Sequence, residues 1–139
     1  MSPAADSPSI LLVEDDDLLR ELYRAALKNA GYSVTPVADG MSALHILEVH
    51  IPDLIVLDLG LPRLGGRDVH KEMMAKPATR NIPVIIVSGL DTSDLDPDAF
   101  AGIFKKPTHP DRLIDAVGEA LRLAYPELRK ARGADDSVS

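Results

Sequence analysis

Four short, unbroken apolar runs punctuate the chain, and each ends in polar or charged residues. Ile10-Leu11-Leu12-Val13 runs into Glu14-Asp15-Asp16, and Leu54-Ile55-Val56-Leu57 into Asp58. Val84-Ile85-Ile86-Val87 runs into Ser88, and the shorter Ile103-Phe104 into Lys105-Lys106. Continuous runs rich in Val and Ile read as strands buried on both faces of a parallel sheet. A further strand is predicted over Tyr32 to Val37, where Pro36 cannot donate to a ladder and so suits an edge.

Between the strands the spacing changes to a helical period. Leu19, Leu22, Tyr23, Ala26, Leu27 and Ala30 recur at i, i+3, i+4 and predict a helix over Asp17 to Ala30. Asp16 or Asp17 can cap its first turn, and Gly31 closes it. A second helix is predicted over Met41 to Val49 after Asp39-Gly40, and a third over Gly66 to Ala75 after the loop of Gly60, Pro62 and Gly65. A last helix starts at Pro110 and runs to Ala124, with Leu113, Ile114, Val117, Ala120 and Leu121 facing inward. Strands alternating with helices predict an α/β fold, (βα)5, with a doubly wound five-stranded parallel sheet of flavodoxin-like order 2-1-3-4-5.

One stretch breaks the pattern. Between Val87 and Ile103 there is room for a fourth helix, but Asp91, Asp94, Asp96 and Asp98 crowd it around Pro97. At most about two turns of helix are expected there, with Asp96 as cap. The ordered domain is expected over residues 9–125. Residues 1–8 read as a loose tail and 126–139 as a C-terminal extension and tail.

Composition narrows the function. The 139 residues fit one domain with a proper core, and aromatics at 4% make that core aliphatic. A formal net charge of −7 argues against nucleic acid or an anionic membrane as partner. There is no Cys, which excludes disulfides and thiolate metal sites. No basic, apolar leader and no membrane-length run is present, so the expected compartment is the cytoplasm.

The chemistry lies at the strand ends. In an open parallel sheet these share one edge, where ligands bind. Glu14, Asp15, Asp58, Ser88 and a lysine should therefore converge. Three carboxylates at close range repel unless a cation joins them. Mg²⁺ takes oxygen ligands, keeps several waters and needs only one or two carboxylates plus phosphate. Asp58 as nucleophile would give an acyl phosphate, with the metal, Lys106 and the Ser88 hydroxyl on the transferred oxygens. His45, His50, His70 and His109 show no ligand spacing and read as surface or helix-end residues. Met73 and Met74 read as core filler. The Asp run 91–98 lacks the spacing of a calcium loop. The cluster Arg129, Lys130, Arg132 reads as a solvated helix end.

The motifs ILLVEDD (10–16), DLIVLDLGLP (53–62), PVIIVSG (83–89) and FKKP (104–107) together resemble the receiver domains of two-component response regulators, of the single-domain chemotaxis type. The spacings agree, with 43 residues from Asp15 to Asp58 and 30 from Asp58 to Ser88. The resemblance covers about Ser9 to Ala124. It implies Asp58 as phosphoacceptor, and Glu14, Asp15, Asp58 and the Gly60 carbonyl as Mg²⁺ ligands. It further implies Ser88 and Lys106 as the phosphate-binding switch pair, a cis Lys106–Pro107 bond that aims the lysine inward, and a sensor histidine kinase or histidine phosphotransfer protein as donor. The downstream partner is unknown.

Two positions depart from the family. The switch aromatic is replaced by Ile103, and Phe104 should face the other side of its strand. Ser88 to Lys106 spans 18 residues, roughly one helical turn short of a typical receiver. Two alternatives stand beside this reading. A non-phosphorylating pseudo-receiver would bind partners only. A hydrolase with an aspartyl-phosphate intermediate would want a second Asp two residues after the nucleophile, where this chain has Gly60.

Overall fold

The computed structural model describes residues 7–127. The expectations for residues 1–6, and for the Arg129, Lys130, Arg132 cluster and the tail beyond it, lie outside the described residues. Five strands form one parallel sheet in the order β2-β1-β3-β4-β5. They are β1 (Ser9–Val13), β2 (Ser33–Val37), β3 (Leu54–Leu57), β4 (Val84–Ser88) and β5 (Gly102–Lys105). Four α-helices flank it: α1 (Asp17–Asn29), α2 (Gly40–Val49), α3 (Gly66–Met74) and α4 (Pro110–Ala124). No helix among the described residues is long and apolar enough to cross a membrane.

The strands that read as continuous apolar runs are the central ones. Every residue of β3 and β4 is buried, as expected when helices cover both sheet faces. Alternation within each strand feeds two cores. Ile10, Leu12, Leu54, Val56, Ile85 and Val87 face α1 and α4, packing with Tyr23, Leu27, Leu113 and Val117. Leu11, Val13, Ile55, Leu57, Val84 and Ile86 face α2 and α3, packing with Ala43, Leu47, Val69 and Met73. Met74 departs from the expected filler role and stands half exposed, because it follows Met73 by one position, about 100° further round the helix.

Local chemistry sets the helix boundaries. The Asp16 carboxylate accepts from the Leu19 amide, and the Asp39 carboxylate from that of Ser42. Gly31, just past α1, has φ 102°, a backbone region that favours glycine. Pro8, read as the last residue of a loose N-terminal tail, is instead buried, and its carbonyl accepts from the Ser33 amide at 3.0 Å.

The fourth crossover is shortened to a single 3-10 turn, Pro97–Ala99, capped by Asp96. Two of its aspartates are spent on local bonds instead. Asp91 accepts from the Ser93 amide and hydroxyl, and Asp96 from the Asp98 amide. Such side-chain bonds to nearby backbone compete with helix formation.

Candidate functional site

Glu14 and Asp58 stand at adjacent strand ends because β1 and β3 are in register, Val13 opposite Leu57. The ladder continues one step further, where the Asp58 amide donates to the Val13 carbonyl at 3.1 Å. The Glu14 amide likewise donates to the Val37 carbonyl at 3.1 Å. Both carboxylates are thus carried on backbone tied to a neighbouring strand. They are 2% and 5% exposed, although both are acidic. Burial of two carboxylates side by side requires compensation, and Lys106 supplies part of it. Its ammonium lies 2.6 Å from Glu14 Oε1 and 2.9 Å from Asp58 Oδ2.

Lys106 arrives from β5. Its amide donates to the Ser88 carbonyl at 2.9 Å, which fixes the end of β5 against the end of β4. The Lys106–Pro107 bond is cis. Lys105 is exposed, a surface neighbour as expected. The Asp58 carboxylate has a second donor, the Gly60 amide at 2.9 Å from Oδ1. The Asp16 amide donates to Glu14 Oε2 at 3.1 Å.

These contacts set the titration. Burial pushes Asp58 up, but the bonds from Lys106 and the Gly60 amide outweigh it and hold the carboxyl below its usual value. Glu14 goes the other way. Burial dominates over its bonds to Lys106 and the Asp16 amide, and its pKa rises to about 6. Lys106 is depressed by burial and raised more strongly by its two carboxylate partners, so it stays protonated.

Carboxylate oxygens of Glu14, Asp15 and Asp58 lie within 4.8 Å of one another. With the carboxylates ionised, three negative charges face one ammonium. The remaining double negative charge and the all-oxygen donor set fit a hard divalent cation such as Mg²⁺. Asp15 is exposed and offers its oxygen from the solvent side.

Ser88 is fully buried at the end of β4, and its hydroxyl oxygen accepts from the Leu90 amide at 3.1 Å. Leu90 packs its side chain toward Gly60, where a Cβ would meet Leu90 Cγ and Cδ1 at 3.7 Å. Ile103 packs into the core on the α2–α3 side, and Phe104 into the core on the α1–α4 side, beneath the Arg112 guanidinium. The alternation expected of β5 therefore holds.

Several participants were not legible in the sequence. Arg20 donates to the Glu14 carbonyl at 3.0 Å and pairs with Asp17. Tyr23, read only as a core residue of α1, donates its hydroxyl to the Thr108 carbonyl at 3.2 Å, and Thr108 Oγ1 donates to the Lys105 carbonyl. The loop bearing Lys106 is thus tied to α1. His70 lies half-buried against Phe100, ring centroids 4.6 Å apart, rather than on the open surface. His45 is exposed, and His50 and His109 flank helix ends. The Arg20–Asp17 pair has the i,i+3 spacing of a helical ion pair, but no spacing rule announces the contacts of Tyr23 with Thr108 or of His70 with Phe100, which join different parts of the fold.

Comparison with known proteins agrees with this geometry. Residues 10–118 match the response regulator receiver domain family. A polar-differentiation response regulator, DivK, of Brucella anthropi is 30% identical over 113 residues, spanning 78% of this chain and 92% of that protein. Among solved structures, the signal receiver domain of a protein described as a Luxo repressor from Vibrio parahaemolyticus has 32% identity and a TM-score of 0.79, covering 87% of this chain and 95% of that one. The receiver domain of a sensor histidine kinase from Pseudomonas aeruginosa, solved with magnesium in its active-site cleft, has 27% identity and a TM-score of 0.73, covering 83% and 98%. A buried, lysine-paired aspartate beside an acidic pair, on a 2-1-3-4-5 sheet, thus has its counterpart in sequence, and the chain belongs to the response regulator receiver domain family of two-component signalling.

Proposed function

We propose that the chain accepts a phosphoryl group on Asp58 from the phosphohistidine of a sensor kinase or histidine phosphotransfer protein. It would then signal through protein contacts in the cytoplasm. The observation that carries this reading is the Asp58 carboxylate itself, buried, ionised and held by Lys106 and the Gly60 amide beside Glu14 and Asp15.

A carboxylate oxygen of Asp58 attacks phosphorus in line. The P–N bond to the donor imidazole breaks, its electron pair leaves with the imidazole nitrogen, and an acyl phosphate forms. Glu14, Asp15, Asp58 and the Gly60 carbonyl would hold Mg²⁺, which neutralises charge on the phosphoryl oxygens when bound. Lys106 faces those oxygens with a fixed positive charge, and the Ser88 hydroxyl donates to one of them. Positioned charge of this kind is the main source of rate in phosphoryl transfer. The chain catalyses only its own phosphorylation and dephosphorylation.

Intact-mass spectrometry after incubation with acetyl phosphate tests the reading. We expect a Mg²⁺-dependent gain of one phosphoryl group, lost in Asp58→Ala. No gain from acetyl phosphate or from a phosphohistidine donor would favour the pseudo-receiver reading. That second reading draws on the replacement of the fourth helix by one 3-10 turn.

A further inference from the structure

The segment after Ser88 has lost the helix that would otherwise hold it. From Gly89 to Ala101 it contains only the 3-10 turn, and most of its residues are exposed. Yet Ser88, whose hydroxyl takes part in the chemistry proposed above, is oriented by this segment through the Leu90 amide. Within the segment Leu95 and Phe100 pack on the core, but both lie past Leu90, whose own side chain is half exposed.

Arg67 holds it from outside. Its guanidinium donates to both carboxylate oxygens of Asp94, Nε to Oδ2 at 3.1 Å and Nη2 to Oδ1 at 2.7 Å. Nη2 also donates to the Asp91 carbonyl at 2.9 Å. The fork therefore grips the turn one residue beyond Leu90, with the planar geometry that only Arg offers. A second tie lies one helical turn along α3, where His70 packs on Phe100.

The base of this grip is as firm as its tip is exposed. Arg67 is the second residue of α3, and the first, Gly66, sits directly on the acceptor's backbone. A Cβ at Gly66 would meet the Asp58 carbonyl at 2.3 Å and Leu59 Cα at 2.7 Å. The Gly66 amide also donates to the Leu59 carbonyl. One end of α3 is therefore seated on Asp58–Leu59, and the next side chain holds the loop that orients Ser88.

We infer that Arg67 is a positioning residue for phosphoryl transfer. Through Asp94 and the Asp91 carbonyl it holds the Leu90 amide, and so the Ser88 hydroxyl, in register with Asp58. This rests on the phosphoacceptor reading above.

Double-mutant cycles on the initial rate of phosphorylation by acetyl phosphate with Mg²⁺ test it. Arg67→Ala should slow the reaction by roughly fivefold, well inside the loss that misplacing a group by about 1 Å produces. Asp94→Ala should slow it similarly, and the double variant no further. A field effect would instead move the two single variants in opposite directions, since they remove opposite charges. In a Ser88→Ala background Arg67→Ala should have no effect, while Mg²⁺ affinity by calorimetry stays unchanged throughout. Amide exchange over residues 89–95 should speed up in both single variants.

Phosphorylation that slows in Ser88→Ala but not in Arg67→Ala would overturn this inference alone. So would an Arg67→Ala effect that persists without Ser88, or opposite responses of the two charge variants. Absence of any phosphorylation in the wild type would overturn the phosphoacceptor reading and the inference with it.

Discussion

At the scale of single residues, Glu14 and Asp58 show how one ammonium is divided between two acids. Both are buried and both bond Lys106, yet Glu14 is raised to about 6 and Asp58 is lowered. The difference lies in how each carboxylate's burial is offset. Burial raises both, and each has Lys106 and one backbone amide against it, but the Asp58 charge pushes Glu14 further up while a hydrogen bond with Glu14 holds Asp58 down. A carboxyl raised on folding binds protons more tightly in the native state, so its contribution is present below the unfolded value of 4.5 and lost as pH rises through about 6. The metal-free protein should therefore gain about 1 kcal/mol relative to Glu14→Gln between pH 7 and 5. Urea unfolding in EDTA measures this, and a difference independent of pH would show that Glu14 titrates normally. Asp58 acts in the opposite sense, its contribution being lost only as pH falls below about 3.8, outside that window.

At the scale of elements, the site is assembled by ties between helices and strand ends. Tyr23 in the middle of α1 reaches the Thr108 carbonyl, which belongs to the turn just after Lys106-Pro107. Tyr125, at the end of α4, donates to the Asp53 carbonyl just before β3 at 2.7 Å. Tyr23→Phe keeps the ring in the core but leaves a buried carbonyl short of a partner. It should cost about 1–2 kcal/mol by urea unfolding. If Tyr23→Phe were neutral, water would be reaching Thr108, and α1 would not be what steadies the lysine loop. The segment Gly89–Ala101 has one 3-10 turn and only Leu95 and Phe100 on the core, and it is also tied to α3 through Arg67 and His70.

At the scale of the whole molecule, the sheet gathers charge of one sign at its carboxyl edge. The chain is acidic overall, at −7, and the site carboxylates add local repulsion that Lys106 only partly cancels. A bound divalent ion relieves this in the native state alone, so it should raise stability by about 2.7 kcal/mol at a hundredfold excess over its Kd. Thermal unfolding should show a rise of several degrees in Tm with Mg²⁺, lost in Asp15→Asn, a variant that leaves the buried pair and Lys106 in place. The gain should shrink as pH falls below about 6, where Glu14 takes up its proton and the donor set loses a charge. An equal response in Asp15→Asn would remove Asp15 from the ligand set.

Much of this was legible along the chain because it depends on near neighbours. The apolar runs, the 3.6-residue spacing of α1 and α4, the caps Asp16 and Asp96 and the breaker Gly31 are local signals, and the parallel sheet follows from the alternation of strands and helices. Even the meeting of Glu14, Asp58 and Lys106 was implied, since parallel strands place their carboxyl ends on one edge. Tertiary structure decided what depends on relative position. It set which acid is raised and which lowered, that Tyr23 serves the lysine loop, that Pro8 joins the ladder beside Ser33, and that Met74 faces outward. It also made Arg67, a charged residue on an exposed helix face, the anchor of a loop 24 to 27 residues away. Hydrogen bonds and burial are set by separations in space, and sequence spacing reports those only within a helix or a strand.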